Sequence, residues 1–527
     1  METSYSLTGA NLIGRRESRA GSSSFTGSDP RNGRDGTIAF AEATAAEVAE
    51  AAALAARAFD TWWRSTTAQR AAVLDAAADE LASRRAAIVA VAESETGLGA
   101  PRLNGELDRT TGQLRAFSQL LREGSFVEAI ISRADPAATP PVPDVRRMLV
   151  AIGPVAIFTP SNFPLAFGAL GGDSASALAA GCPIVVKGHP SHPATSEACG
   201  RAMLAAIERA GAPDGVFSLL QSRDPAIARA LVMAPEIQAV GFTGSLGAGR
   251  ALHDVAAARP VPIPVYAEMG SLNPAFIGPG AIAARADTIA DGLAVSITQG
   301  TGQFCTKPGL VFVPDDAGGR QFAQALAERI AARTPGTMLN RSLGEGLDRQ
   351  LTRTTTLPGI ERLTPASANE GLRRAGTLLA VTHDVFRTTP ALQEEHFGPM
   401  AVVIFCAPGE MQGAAASLPG SLTATVHAEP SDEAWVSPLA ETLTRTTGRL
   451  VWNGYPTGVA VIPAMHHGGP YPSSTSPAHT SVGTTAIRRF LRPFAWQSVP
   501  DARLPEALRD GNPLGIQRSI DGHWTRD

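Results

Sequence analysis

Apolar residues recur at helical spacing over residues 41–98. The stretches AEATAAEVAEAAALAARAFDTWW and RAAVLDAAADELASRRAAIVAVAE combine this spacing with many alanines, the residue of highest helix propensity. We predict two or three helices here, and a further helical stretch follows. Their expected role is a scaffold.

Strand-like runs alternate with helical stretches between residues 150 and 268. This alternation predicts a parallel sheet with right-handed crossovers. We expect helices near 164–180, 195–210 and 247–258, with a shorter one between the last two. The β-rich runs are LVAIGPVAIF, CPIVVK, VFSLL, IQAVGF and PIPVYAE.

A second α/β region follows, with helices expected near 283–299 and 318–333. Its β-rich runs are GLVFVP, AVVIF, LTATVHA and GRLVWNG. Upstream of both regions, EAIISRADPAATPPVPDVRRMLVAIGPVAIF has two β-rich runs around a Pro-rich turn. This pattern predicts a protruding hairpin, suited to oligomerisation, that leads into a buried strand. The Pro- and Gly-punctuated tail beyond about 475 resembles a clasp more than a domain.

Length and composition narrow the class of protein. A chain of 527 residues is too long for one compact core, so two or three domains are expected. The 44% hydrophobic and 18% charged residues are typical of a soluble globular enzyme. A net charge of -4 gives no reason to expect nucleic acid or an anionic membrane as partner. Since no signal peptide or membrane-spanning run is recognisable, we expect a cytoplasmic protein.

Four cysteines occur, at 182, 199, 305 and 406, and none form a C-x-x-C pair. This pattern argues against a disulfide framework and a thiolate zinc site, so no metal is expected. Cys305 stands in GQFCTKPG, where the small Gly302 would let a substrate approach. A buried structural cysteine is the alternative.

Glu268 ends a β-rich run and lies in YAEMGSLNP. A carboxylate at the carboxyl end of a parallel strand lies where such folds bind ligands. The alternative is a solvated glutamate at a strand end. Taken singly, neither Glu268 nor Cys305 establishes a chemistry.

Six motifs taken together are more specific. The pattern E-[LM]-G-x-x-N-P followed by G-Q-x-C resembles the NAD(P)-dependent aldehyde dehydrogenase superfamily. Four further stretches agree in the expected order: TPSNFP (159–164), VVKGHP (185–190), GFTGS (241–245) and EEHFGP (394–399).

The resemblance implies a mechanism. Cys305 would attack the aldehyde carbon as a thiolate, and the Asn162 amide with the Cys305 N–H would stabilise the thiohemiacetal oxygen. After hydride transfer, Glu268 would activate the water that hydrolyses the thioester, with a pKa raised by partial burial. His467 in MHHGG would be an auxiliary base or proton relay; a loop histidine without catalytic duty is the alternative.

The resemblance also implies a cofactor site. The helix that follows IQAVGF would bind the pyrophosphate at its N-terminus, where free N–H groups and the helix dipole favour anions. Lys187 would reach the adenosine ribose, and Glu395 the nicotinamide ribose. The cofactor-binding residues implied are Lys187, Gly244, Ser245, Gly249, Glu395 and Phe397.

Pro190 bears on the choice between NADP and NAD. Many NAD-preferring members of the family carry a glutamate at this position, three residues after the lysine, where its charge repels a 2′-phosphate. With Lys187, His189 and His192 nearby, we expect NADP to be preferred and NAD to be usable. A solvated histidine loop is the alternative.

The C-terminal half resembles the branch of 2,5-dioxovalerate (α-ketoglutarate semialdehyde) dehydrogenases. The stretches that carry this resemblance are GRLVWNGYPTGVAVIPAMHHGG, IRRFLRPFAWQSVP and LPEALRDGNPLGIQR. It implies oxidation of 2-oxoglutarate semialdehyde (2,5-dioxopentanoate) to 2-oxoglutarate. An NADP-dependent fatty aldehyde dehydrogenase, a cysteine hydrolase or acyltransferase, and a catalytically silent protein are the alternatives. No arginine can be chosen for the distal carboxylate.

The expected fold is the α/β aldehyde dehydrogenase fold. A Rossmann-like cofactor domain would comprise 1–124 and 150–268, and a catalytic domain 269–474. The hairpin 125–149 and the tail 475–527 would form an oligomerisation element, and a homodimer or homotetramer is expected.

Overall fold

The computed structural model describes residues 6–527, so the first five residues of the expected segment 1–124 lie outside the described residues. Two seven-stranded sheets dominate the architecture. The α/β class expected from the sequence is confirmed.

The first sheet contains five parallel strands, extended at one edge by two short antiparallel strands. The parallel strands are the β-rich runs predicted within 150–268. The two three-residue strands at the edge are too short to be recognised from a pattern of alternation. The order across the sheet is Val265–Glu268, Ala239–Thr243, Val155–Phe158, Ile184–Lys187, Phe217–Leu220, Asn11–Ile13 and Arg16–Ser18.

Helices pack on both faces of this sheet because its strands are apolar on both sides. Val186 belongs to a buried cluster with helices Thr67–Ser83, Ala100–Glu123 and Pro193–Arg209. Its neighbour Val185 packs instead with helices Ala45–Trp62, Pro225–Met233 and Leu246–Ala257. Successive residues of a strand face opposite sides, so a continuous apolar run predicts this sandwich. The remaining helices of this half are Arg85–Thr96 and Gly172–Ala180.

The second sheet contains six parallel strands and one antiparallel edge strand. It includes the four β-rich runs predicted after residue 300. The order is Glu361–Arg362, Thr377–Thr382, Met400–Phe405, Leu310–Val313, Ala275–Ile277, Ala424–His427 and Leu450–Trp452. Its helices are Pro279–Thr298, Ala317–Ala331, Arg341–Thr355, His383–Thr388, Met411–Ser417 and Glu433–Thr446.

A third sheet joins the predicted hairpin to the C-terminal tail. Strands Ile130–Ser132 and Val145–Ala151 pair antiparallel, as expected, and the chain then enters the buried strand Val155–Phe158. The five strands lie in the order Leu491–Gln497, Val145–Ala151, Ile130–Ser132, Arg518–Ile520 and His523–Thr525. Two small antiparallel pairs complete the strands: Ser24–Asp29 with Arg34–Ala41, and Gly336–Thr337 with Arg373–Arg374.

The prediction of a helix near 164–180 is wrong for the first half of that range. Residues 164–171 form turns, and the helix begins at Gly172. A Cβ at Gly168 would lie 1.9 Å from Pro164 O, and the Gly172 N–H donates to Ala166 O at 3.1 Å. The glycines therefore permit a tight turn that a regular helix would not form. Within residues 6–527, the helices are too short or too polar to cross a lipid bilayer.

Candidate active site

Cys305 follows a sharply bent backbone segment. Gly300, Thr301 and Gly302 have φ angles of 55°, 59° and 63°, in the left-handed region. A Cβ at Gly302 would lie 2.1 Å from Gly398 O, so this position requires glycine. From the sequence, we expected the small Gly302 to leave space for a substrate. The backbone of Gly398 occupies that space instead.

Asn273 holds the cysteine loop in place. Its Nδ2 donates to Cys305 O at 2.7 Å and to Lys307 O at 3.0 Å. Its Oδ1 accepts hydrogen bonds from Ser271 Oγ at 2.7 Å and Thr423 N at 3.3 Å. The φ of Asn273 is 47°, a conformation that asparagine tolerates better than most residues. The sequence gives no role to Asn273, although it is the asparagine of YAEMGSLNP.

Three predicted catalytic side chains meet at one point. His467 Nε2 lies 3.4 Å from Cys305 Sγ and 2.9 Å from Glu268 Oε1. Ser481 Oγ donates to the other carboxylate oxygen, Glu268 Oε2. Both His467 and Glu268 are buried. The thiol and the carboxylate meet the same imidazole nitrogen, while His467 Nδ1 has no partner among the described residues, so the three groups are not ordered as in a nucleophile, base and acid triad.

The chain after His467 brings these groups together by returning to strand Val265–Glu268. We call residues 467–482 the return segment. The Met269 N–H donates to Ser473 O at 2.9 Å, and the Thr475 N–H donates to Ala267 O at 3.1 Å. The Ser481 N–H donates to His467 O at 2.8 Å, so the return segment fixes the histidine as well as the glutamate.

Burial dominates the electrostatics of the thiol and the carboxylate. It raises the pKa of Cys305 well above its ordinary value, and the negative charge of Glu268 raises it further. Burial also favours a raised pKa for Glu268, but the charge and hydrogen bond of His467 outweigh it and leave the pKa below its ordinary value. The expectation of a raised pKa for Glu268 is therefore wrong. The resting site holds a protonated thiol beside an ionised carboxylate.

Asn162 lies beside the cysteine loop. Its Nδ2 donates to Gln303 O at 2.9 Å, while its backbone O accepts from Arg102 Nη2 at 2.7 Å. Arg102 Nε in turn lies 3.2 Å from Glu106 Oε1. An amide group has a second N–H, so one donor of Asn162 is left for an oxyanion.

A cavity of about 740 Å³ connects the predicted catalytic and cofactor residues. Asn162, Glu268 and Cys305 line it at one place and Lys187 at another, and its volume is in the range of ligand and cofactor sites. Of the ten predicted site residues, eight line it: Asn162, Lys187, Gly244, Ser245, Glu268, Cys305, Glu395 and Phe397.

Lys187 ends its strand as expected. Burial lowers its pKa to about 8, which the charge of Glu42 partly offsets. His189 and Pro190 also line the cavity, whereas His192 is buried and its Nε2 lies 2.9 Å from Pro160 O. Burial lowers the pKa of both histidines, so they are neutral near pH 7 and bring no positive charge to a phosphate. The alternative of a solvated histidine loop is wrong for His192, which is buried, whereas His189 is half-buried.

The helix Leu246–Ala257 begins beside the cavity, as expected. Ser245 is its N-cap, and its side chain accepts a hydrogen bond from Ala248 N at 3.3 Å. The Gly244 N–H donates to Glu268 O at 3.1 Å. Gly249 lies behind the cavity wall, where a Cβ would be 2.7 Å from Met269 Sδ. Its smallness lets helix and strand pack closely.

Glu395 packs against Gly270 and Ser271, which follow the strand that carries Glu268. Its Oε1 accepts from Ser271 N at 3.2 Å, and a Cβ at Gly270 would lie 2.2 Å from its Oε2. Burial raises the pKa of Glu395 to about 6, which the Ser271 N–H and the charge of Lys307 oppose. Lys307 Nζ donates to Met400 O at 2.6 Å, and burial lowers its pKa to about 8.

Comparison with known proteins gives a consistent result. A model of the aldehyde dehydrogenase family matches residues 19–492. The chain is 45% identical to alpha-ketoglutaric semialdehyde dehydrogenase 2 of Azospirillum brasilense over 98% of this chain and 99% of the relative. It is 42% identical to alpha-ketoglutaric semialdehyde dehydrogenase of Acinetobacter baylyi over 93% of each chain.

Solved structures agree on the fold. The crystal structure of an aldehyde dehydrogenase from Brucella melitensis biovar abortus has a TM-score of 0.80 and 23% identity, covering 94% of this chain and 98% of that one. A mutant betaine aldehyde dehydrogenase from Staphylococcus aureus in complex with NAD+ has a TM-score of 0.81 and 20% identity, covering 93% of this chain and 96% of that one.

Proposed function

The chain belongs to the aldehyde dehydrogenase family, and from this premise we propose that it oxidises 2-oxoglutarate semialdehyde to 2-oxoglutarate with NADP or NAD as the hydride acceptor. The observation that carries the chemistry is the buried contact of Cys305 with His467 and Glu268 at a cavity of cofactor size. The names of the two relatives support the choice of substrate.

The first step proposed is activation of the thiol. The Glu268 carboxylate accepts the proton of the Cys305 thiol, with which it shares a hydrogen bond. His467 Nε2, 2.9 Å from Glu268 Oε1 and 3.4 Å from Cys305 Sγ, donates its N–H between them and stabilises the negative charge as it moves to the sulfur. The raised pKa of Cys305 makes this base necessary, because few thiolates form unaided near pH 7.

The thiolate then attacks the aldehyde carbon. The free N–H of the Asn162 amide and the backbone N–H of Cys305 stabilise the oxygen of the thiohemiacetal. Asn162 is buried and held by Gln303 O, so this donor is positioned before the substrate binds. A bound NAD(P) would supply the hydride acceptor, and Cys305 would keep the acyl group as a thioester.

Glu268 serves the second half of the reaction as the base that activates water. Its lowered pKa keeps it ionised near pH 7, and Ser481 fixes one of its oxygens. Water then adds to the thioester, the carboxylic acid leaves, and the thiol is regenerated.

The residues along the cavity fit NAD(P). The N-terminus of helix Leu246–Ala257 suits the pyrophosphate, and Glu395 suits ribose hydroxyls. We favour NADP over NAD because Pro190 leaves the cavity without a repelling carboxylate at this position, and Lys187, Arg223 and Arg229 line it. His189 and His192 are neutral near pH 7 and so add no charge in favour of NADP.

We also propose a homodimer, or a tetramer of dimers, built on the third sheet. Its edge strand Leu491–Gln497 is largely exposed, and Phe494 is 44% and Trp524 64% exposed. Exposed strand edges with apolar side chains pair readily with another copy.

The experiment offers purified protein 2-oxoglutarate semialdehyde, succinate semialdehyde and a long-chain fatty aldehyde, each with NADP and with NAD, and follows the absorbance of the reduced cofactor. Cys305→Ala is the control and is expected to be inactive. Highest kcat/KM with the first aldehyde supports the proposal. Highest kcat/KM with the fatty aldehyde would refute the substrate, and no cofactor reduction with any of the three aldehydes would favour a hydrolase or a catalytically silent protein.

A further inference from the structure

Two arginines near the thiol have guanidinium donors that nothing in residues 6–527 satisfies, and neither pairs with a carboxylate in that range. They are Arg109, on helix Ala100–Glu123, and Arg449, immediately before strand Leu450–Trp452. Arg109 Nε, Arg109 Nη2 and Arg449 Nε are buried and have no hydrogen-bond acceptor among the described residues. Burying guanidinium donors without acceptors costs free energy, so these groups favour the binding of an anion.

Arg109 stands over a ring that lines the active-site cavity. Its guanidinium carbon lies 5.5 Å from the centre of the Phe167 ring. Among the described residues, only its Nη1 has a hydrogen-bond acceptor, Val459 O at 2.9 Å. Burial lowers the pKa of Arg109, and electrostatic interactions with Cys305, Glu106 and Glu268 oppose this effect.

Arg449 approaches the same region from the second sheet. Its Nη2 donates to Pro456 O at 2.8 Å, and its Nη1 lies 3.7 Å from Met465 Sδ. Burial lowers the pKa of Arg449 too, and its electrostatic interaction with Cys305 opposes this effect. Neither Arg109 nor Arg449 has a carboxylate at ion-pair distance within the described part of the chain.

One apolar cluster links the two arginines to the cavity. It contains Phe163 and Phe167 from the cavity wall together with Val459 and Met465, the neighbours of Arg109 and Arg449 respectively. An aliphatic chain bound to Cys305 would lie against Phe163 and Phe167, and the two guanidinium groups contact other residues of the same cluster.

Resting on the proposed function, we propose that Arg109 and Arg449 bind the distal carboxylate of a dicarboxylic semialdehyde and so determine the specificity of the enzyme. Guanidinium groups suit this task because their N–H donors match the two oxygens of a carboxylate. Arg102, a third arginine near the thiol, also has a buried Nη1 without an acceptor among the described residues, but it pairs with Glu106 at 3.2 Å and with Asn162 O, so its charge is compensated and it is not assigned this role.

The test compares two aldehydes of equal chain length, 5-oxopentanoate and pentanal, which differ in the terminal carboxylate. We expect wild-type kcat/KM to favour 5-oxopentanoate by roughly 10²-fold, and Arg109→Met and Arg449→Met each to lower this ratio about tenfold or more. The values for pentanal are expected to change little. Arg115→Met is the matched control, since Arg115 lies exposed on the same helix and pairs with Asp79.

A purely structural role for the arginines predicts a different result. Each also holds a loop carbonyl, so loss of packing would lower kcat/KM for both aldehydes equally and lower the melting temperature; an unchanged ratio would overturn the assignment. Arg109→Gln removes the charge but can keep the bond to Val459 O, and it repeats the test if the methionine variant does not fold. Glutarate is a second probe: its inhibition constant against pentanal is expected to rise about tenfold in the variants.

Failure of the proposed function would look different. A wild-type protein that reduces neither cofactor with 2-oxoglutarate semialdehyde, 5-oxopentanoate or pentanal would overturn the proposed function, and this assignment with it. A wild-type protein that oxidises both aldehydes with equal kcat/KM would overturn the assignment alone.

Discussion

Asn273 provides a sharp test of how the nucleophile is held. In Asn273→Ala, the carbonyls of Cys305 and Lys307 lose the Nδ2 donor that now lies 2.7 Å and 3.0 Å from them. The donors Ser271 Oγ and Thr423 N lose their acceptor at the same time. Alanine must also adopt the φ of 47° that asparagine holds.

The magnitude follows from these losses. Leaving buried polar groups without partners costs about 1–3 kcal/mol, and alanine in the left-handed region adds about 1 kcal/mol. We therefore expect the free energy of unfolding to fall by about 3 kcal/mol. Because the thiol then lies on a loosened loop, we expect kcat to fall about 10²-fold.

The assay pairs urea unfolding with steady-state kinetics, and Asn453→Ala is the matched control. Asn453 has a φ of 49° and bridges backbone in the same way, donating to Ala428 O at 3.0 Å and accepting from Ala428 N at 2.9 Å. It contacts neither the thiol nor the cavity. We expect the control to lose stability but to keep its kcat. If Asn273→Ala also keeps its kcat, the positioning role is refuted.

Three further results are expected. Alkylation of Cys305 by iodoacetamide in the cofactor-free protein accelerates with pH and shows no plateau up to about pH 9, because burial raises the thiol pKa; a plateau near neutral pH contradicts this. Glu268→Gln gives a burst of about one reduced cofactor per site followed by slow turnover, as the thioester accumulates; a linear time course counts against the role. Gly302→Ala lowers the melting temperature because its Cβ would lie 2.1 Å from Gly398 O, whereas Gly346→Ala, with no atom within 4 Å, does not; equal melting temperatures exclude the clash.

Parts of the fold are readable from the sequence because local pattern and tertiary structure agree. The apolar runs of 150–268 are buried on both faces, and such runs are typical of parallel strands. Helix Arg341–Thr355 escapes prediction because it is polar: only Gly344, Leu347 and Thr354 are buried. The short N-terminal strands are too brief to show a period.

For the site, too, the sequence predicts what local motifs determine and misses what depends on residues that meet only in the folded chain. Motif order places Cys305 and Glu268 correctly at the cavity, but the lowered pKa of Glu268 depends on His467, which is distant in sequence. The choice of Arg109 is invisible in the sequence for the same reason. Its helix carries three other arginines, and only the contact with Val459, 350 residues away, distinguishes it.

The return segment has a consequence for biosynthesis. Ser481, which fixes the Glu268 carboxylate, follows it by 213 residues. At translation rates of ~5–20 residues per second, roughly 10–40 s pass between synthesis of the two. For most of that interval, Cys305 has been synthesised but His467, 162 residues further along the chain, has not. Aldehyde oxidation therefore begins only when almost the whole polypeptide has left the ribosome, and chains that terminate before Ser481 are inactive.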